Sequence, residues 1–143
     1  MFIGQYKYNL DEKNRLVIPL EYRKELGNKV VINKGFEKCI TIYPIDVWNE
    51  LVEKMSSLAI NQKDNRAFAR YYMSSAFYKD FDSQGRISID EVLRRYAGIT
   101  SENKGCVVAG ANKIIEIWTQ DAWEKIEAER DEKFSDISEN IIF

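Results

Sequence analysis

The sequence predicts an α+β protein dominated by β-strands, built from two copies of one unit that pack as a single body. Three observations carry that expectation. The pattern Asp-x-x-x-Arg twice stands before an alternating apolar stretch, in "DEKNRLVIP" from Asp11 and in "DSQGRISID" from Asp82. A much longer internal match surrounds both. Within each copy, short alternating segments flank one short helical segment that ends at a glycine.

The internal match settles the organisation, because a period of this length marks a repeated structural unit. A shift of 71 residues lays Asp11, Arg15, Leu16, Ile18, Arg23 and Gly27 over Asp82, Arg86, Ile87, Ile89, Arg94 and Gly98. Further on the shift becomes 75, and Gly35, Lys38, Ile42, Asp46 and Trp48 meet Gly110, Lys113, Ile117, Asp121 and Trp123. The four extra residues fall in the polar segment "TSENKG", where a loop tolerates insertion. A third match, Asp90 to Arg94, has no counterpart in the first copy and is assigned to an i,i+4 ion pair on a helix.

The elements follow in order. "QYKYNL" alternates Tyr6, Tyr8 and Leu10 against Lys7 and Asn9, and "RLVIP" alternates again after four turn-prone residues, so the two segments are expected to form a β-hairpin. A short helix follows in each copy. "LEYRKELG" begins behind Pro19, and "EVLRRYAG" begins behind Asp90 as N-cap; Gly27 and Gly98 are expected to close them in the left-handed conformation. "KVVINKG" and "CITIYP" in the first copy, and "GCVVAG" and "IIEIW" in the second, read as two further strands each. Between the copies "DVWNELVEKMSSLAI" has helical periodicity that "NRAFARYYMSSAF" continues, which makes an ordered bridge. "DAWEKIEAERDEKF" repeats the first bridge helix. The expected organisation is a first repeat over 5–47, a helical bridge over 48–75, a second repeat over 76–119 and an acidic C-terminal helix and tail over 120–143. A unit of some 45 residues buries too little surface to fold alone, so the copies are expected to share one core.

Composition narrows the function. The 143 residues include no histidine, the usual general base at neutral pH, and show neither a metal-ligand cluster nor a glycine-rich phosphate loop. Catalysis, a cofactor and a small-molecule substrate are therefore not expected. Cys39 and Cys106 are widely spaced and lie in strand-like segments, as small buried hydrophobes do. No apolar run reaches the length of a membrane span, and "MFIGQYKYNL" lacks the pattern of a secretory signal, so a cytoplasmic location is expected. The formal net charge of −2 hides an asymmetry. Residues 1–43 hold eight Lys/Arg against five Asp/Glu, whereas residues 116–143 hold three against nine. That polarity suits a protein that turns one face toward a polyanion, and equally suits a solvated acidic helix.

The two turns are the candidate site. Asp at the first position of a tight turn accepts bonds from backbone N–H groups further on, and Asn14 and Gly85 are residue types that tolerate positive φ, so Asp11, Asn14, Asp82 and Gly85 are assigned to shaping the loops. Arg15 and Arg86 oppose the apolar Leu16, Ile18, Ile87 and Ile89 and should project at the tips, with Lys13 adding a point charge beside Arg15. A guanidinium there can grip phosphate or a guanine edge with a bidentate fork. The competing reading is a local ion pair of each arginine with its own aspartate, which as an exposed pair contributes little.

With both turn motifs, "RLVIPLEYRKEL", "GRISIDEVLRRYAGI", "ITIYPIDVW", "IIEIWTQDAW" and the "MFIGQY" start in view, the whole chain resembles the MraZ family, a regulator associated with the bacterial division and cell-wall gene cluster. Each half of that family is similar to a SpoVT/AbrB-type swapped-hairpin unit. The resemblance implies two pseudo-symmetric swapped-hairpin repeats interleaved in one chain and assembled into a homo-oligomeric ring of eight or more subunits. It implies nucleoid association and sequence-specific binding to short direct repeats in double-stranded promoter DNA, with Arg15 and Arg86 as contact positions. Asn14 stands where the family usually has Gly, and Asp90 where Pro is frequent. The extra carboxylate near Arg86 makes the first copy the expected main contact. The alternative reading is a non-catalytic oligomeric scaffold or protein-interaction module, which salt-sensitive retention on DNA would separate from a regulator.

Overall fold

The computed structural model describes residues 1–143 and contains eight strands and five helices. In the first copy β1 (Gln5–Asn9) and β2 (Arg15–Val17) precede α1 (Leu20–Leu26), β3 (Lys29–Lys34) and β4 (Ile40–Pro44). Then come α2 (Ile45–Ser56) and α3 (Lys63–Ser74). The second copy supplies β5 (Phe77–Asp80), β6 (Arg86–Ser88), α4 (Glu91–Ala97), β7 (Gly105–Ala111) and β8 (Ile114–Thr119), and α5 (Gln120–Glu139) follows.

The strand pairing corrects the expected hairpins. β1 does not pair with β2; it runs antiparallel to β7 of the other copy over five residue pairs, from Gln5 opposite Ala109 to Asn9 opposite Gly105. β5 likewise pairs with β3 of the first copy. β2 and β6 pair with each other, with Leu16 opposite Ile87. The result is a six-stranded sheet in the order β1-β7-β8-β4-β3-β5 and a two-stranded sheet β2-β6. Exchanging the copies maps both orders onto themselves, so a pseudo-two-fold passes between β4 and β8 and between β2 and β6. The turns expected at 11–15 and 82–86 do form, but each hands its two arms to different partners. Both copies carry the same alternating pattern, so local sequence cannot choose between pairing within a copy and pairing across copies. Burial chooses: the exchange places Leu16, Ile18, Ile87 and Ile89, all at most 1% exposed, in one cluster of nineteen buried residues drawn from both halves.

That cluster fills the space between the large sheet and the β2-β6, α1 and α4 layer, with Val30, Ile32, Ile40, Ile42, Val108, Ile115 and Ile117 facing in from the sheet. The alternate residues of the same strands face the other way. There Val31 and Tyr43 pack with Trp48 of α2 and Tyr72 of α3. Tyr43, Trp48 and Trp118 are thus buried within the chain, while Trp123 stays half-exposed, tilted against Trp118. Cys39 and Cys106 are buried as free thiols, and burial pushes the Cys106 thiol up to about 12 and raises that of Cys39 as well.

Four local expectations also change. The bridge is two helices, not one continuing periodicity: the Ser57 hydroxyl donates to the Lys54 carbonyl, and Asn65 and Arg66 donate to the carbonyls of Ala59 and Ile60 across the break. Gly98 closes α4 in the left-handed conformation, but Gly27 closes α1 with φ 76° and an extended ψ of −157°. Asp90 precedes α4 without a side-chain capping bond, and it forms no ion pair with Arg94. Its carboxylate instead meets Lys79 of β5, while Arg94 donates to the Ile89 carbonyl. No helix is long and apolar enough to cross a membrane.

Candidate nucleic-acid interface

Two loops of nearly identical construction lie side by side because β2 and β6 pair. In the first, Asp11 Oδ1 accepts from the backbone N–H groups of Lys13 and Arg15, each at 2.9 Å, and Oδ2 accepts from Arg15 Nε at 2.8 Å. In the second, Asp82 Oδ1 accepts from the N–H groups of Gln84 and Arg86, again at 2.9 Å, and Oδ2 accepts from Arg86 Nε at 2.8 Å. A backbone bond from each aspartate N–H to the arginine carbonyl closes the turn. Asn14 (φ 58°) and Gly85 (φ 74°) take the left-handed position that this geometry requires. The backbone N–H of Arg15 is the main cause that holds the Asp11 carboxyl below its ordinary range, partial burial opposing it, and Arg86 does the same for Asp82.

The loops also brace one another. Ile18 N–H donates to the Gly85 carbonyl and Ile89 N–H to the Asn14 carbonyl, so each strand end is tied to the opposite turn. Arg86 reaches across to Asp11, with Nη1 3.7 Å from Oδ2. Arg86 therefore faces two carboxylates and Arg15 one. In both arginines Nε is the atom that bonds the loop, and the terminal amino groups make no hydrogen bond within the chain. This arrangement fixes the guanidinium plane and leaves its outer fork free for an external acceptor. Ion pairing and ligand contact, posed as alternatives by the sequence, are thus compatible in geometry. Lys13 is exposed and takes part in no ion pair. The Asp90 carboxylate is occupied by Lys79.

Two residues of this surface were not recognised from sequence. Arg23 Nε donates to the Ile18 carbonyl at 2.9 Å, and its guanidinium lies against Gly85, where an added methyl group would collide with it. Arg94 occupies the equivalent place on Ile89 and helps line a polar cleft of about 520 Å³ beside Asn14, together with Arg95 and Lys104. The 71-residue shift that overlays Arg23 on Arg94 was the available signal. The chain groups no acidic, cysteine or histidine side chains that could hold a metal ion.

Comparison with known proteins agrees with this duplicated construction. The family model described as "MraZ protein, putative antitoxin-like" matches the chain twice, over residues 1–71 and 73–142. The chain is 41% identical over 142 residues to a protein of Pediococcus pentosaceus named transcriptional regulator MraZ, covering 99% of this chain and 97% of that relative. With both halves matched and the identity spread over almost the whole length, the chain belongs to the MraZ family.

Proposed function

We propose that the chain is a sequence-specific DNA-binding regulator of transcription, acting at the promoter of the division and cell-wall gene cluster. The observation that supports this reading most is the pair of braced loops, which offer two guanidinium forks on one small surface, that of Arg15 with its outer N–H groups unused and that of Arg86 with Nη1 near Asp11. Arg15, with Lys13 beside it, is the principal contact, and Arg86 the lesser one. Asp11, Asn14, Asp82 and Gly85 hold the forks in place, which lowers the ordering cost when DNA binds. The relative's name, transcriptional regulator, supports the same class.

One subunit with net charge −2 neutralises few phosphates and binds weakly by itself. A homo-oligomeric ring of eight or more subunits presents several loop pairs to successive direct repeats, and the effective concentration of the second pair raises avidity by about 10²–10⁴. The reading is tested by footprinting the protein on its own upstream region, alongside titration of a scrambled duplex at matched salt. Protection of regularly spaced short repeats is the expected outcome. Equal affinity for the scrambled duplex would refute sequence-specific binding.

A further inference from the structure

Two features break the internal symmetry, and each leaves apolar side chains in water. The first is a groove of about 200 Å³ where the end of β3 meets α3 and α4. Phe36, Phe68 and Tyr72 stack along it with ring centroids 5.5–6.3 Å apart, yet Phe36 is 73% exposed. Lys34 lies over the Tyr71 ring at 4.0 Å and Lys38 over the Tyr96 ring at 4.5 Å, and neither lysine has a carboxylate partner. The second copy has Ala111 at the place of Phe36, so the repeated fold does not require this aromatic surface.

The second feature is the length of α5. Its counterpart α2 ends at Ser56, which overlays Asp131, so everything beyond Asp131 is an extension with no equivalent helix in the first copy. α5 contains no buried residue; its first turns touch the body through Trp123 and Glu127, which bond Gln5. Phe134 stands roughly 16 Å further along the axis than Trp123, at 1.5 Å per residue. It is 69% exposed and is followed by Ile137 on the same helix face and, just past the Asn140 C-cap, by Ile141, both also exposed. Asp131, Glu132, Asp136 and Glu139 surround this stripe against a single Lys133, and none of the four is in an ion pair.

We infer that the α5 extension of one copy docks its Phe134–Ile137–Ile141 stripe into the Phe36–Phe68 groove of the next copy, with the flanking carboxylates meeting Lys34 and Lys38. The inference rests on the homo-oligomer reading above and names the contact that builds it. An aromatic groove edged by unpaired lysines and an apolar stripe edged by unpaired acids are complementary in shape class and in charge. Because donor and acceptor surfaces are different parts of the chain, the contact is heterologous, and repeating it generates a closed ring when the rotation per subunit permits. In this contact Lys34 and Lys38 are spent on protein, leaving Lys13, Arg15 and Arg86 for nucleic acid.

The test is light scattering of the full-length chain across a concentration series. Phe36→Ala and the pair Phe134→Ala with Ile137→Ala alter exposed side chains, so each should keep the parent's circular dichroism while raising the half-assembly concentration about ten-fold or more, as loss of an aromatic anchor does. Lys34→Glu with Lys38→Glu, and separately Glu132→Lys with Asp136→Lys, should also disperse the assembly. The chain carrying all four charge changes should reassemble. A parent that is monomeric throughout would overturn both the oligomer and this contact. A parent oligomer that every variant leaves intact, or a four-fold variant no better than either charge pair, would overturn the contact alone.

Discussion

Replacing Arg15 by lysine, beside replacing it by alanine, separates charge from the planar fork. In the structure Arg15 spends its Nε–H on Asp11 and keeps the four N–H groups of its two terminal nitrogens, a geometry that matches the two acceptors of a guanine edge. Lysine keeps the positive charge but has neither the bond at Nε nor the fork. If Arg15 reads a base, Arg15→Lys should lose about 1–3 kcal/mol of discrimination between operator and scrambled duplex, roughly 5- to 150-fold. Its log K against log[salt] slope should stay near the parent's. Arg15→Ala should lose the same discrimination, and if the side chain also neutralises a phosphate its slope should flatten by about 0.9 per subunit engaged. Fluorescence anisotropy titrations on both duplexes at several salt concentrations supply all four numbers. Full discrimination in Arg15→Lys would show that the fork is not used for reading. Unchanged affinity in both variants would remove Arg15 from the contact surface.

Three other perturbations bear on the same construction. Arg86→Ala should lower DNA affinity and salt slope less than Arg15→Ala, because Arg86 faces both Asp82 and Asp11; equal losses in anisotropy would refute the asymmetry. Ile87→Ala, at a site 1% exposed in the core shared by the copies, should cost about 2–5 kcal/mol in urea unfolding and still give one transition, whereas two separated transitions would mean that the halves fold independently. The folded carboxyls of Asp11 and Asp82 lie below their ordinary value of 3.8, so the stability they contribute is complete above pH 3.8 and is lost as pH falls through the lower folded value. Asp11→Asn with Asp82→Asn should therefore flatten the acid side of the stability profile below pH 3.8, and superimposable parent and variant profiles would show that the loops carry no such linkage.

What the sequence determined by itself is everything encoded within about five residues or by exact repetition. The Asp11 and Asp82 turns, positive φ at Asn14 and Gly85, the short helices behind Pro19 and Asp90, and the apolar alternation of Leu16 with Ile18 and of Ile87 with Ile89 depend on local bonds and on strand period, and the duplication was legible because both copies keep them. Partner choice was not. β1 and β5 meet equivalent strand edges in either copy, and only the total apolar surface buried by the interleaved body selects the exchange that sets the two loops side by side. From that exchange come the features no local pattern contained: Arg86 reaching Asp11, Lys79 taking Asp90 from Arg94, and Arg23 lying on Gly85. Each joins residues far apart in the chain, and such contacts are fixed by the closing of a common core.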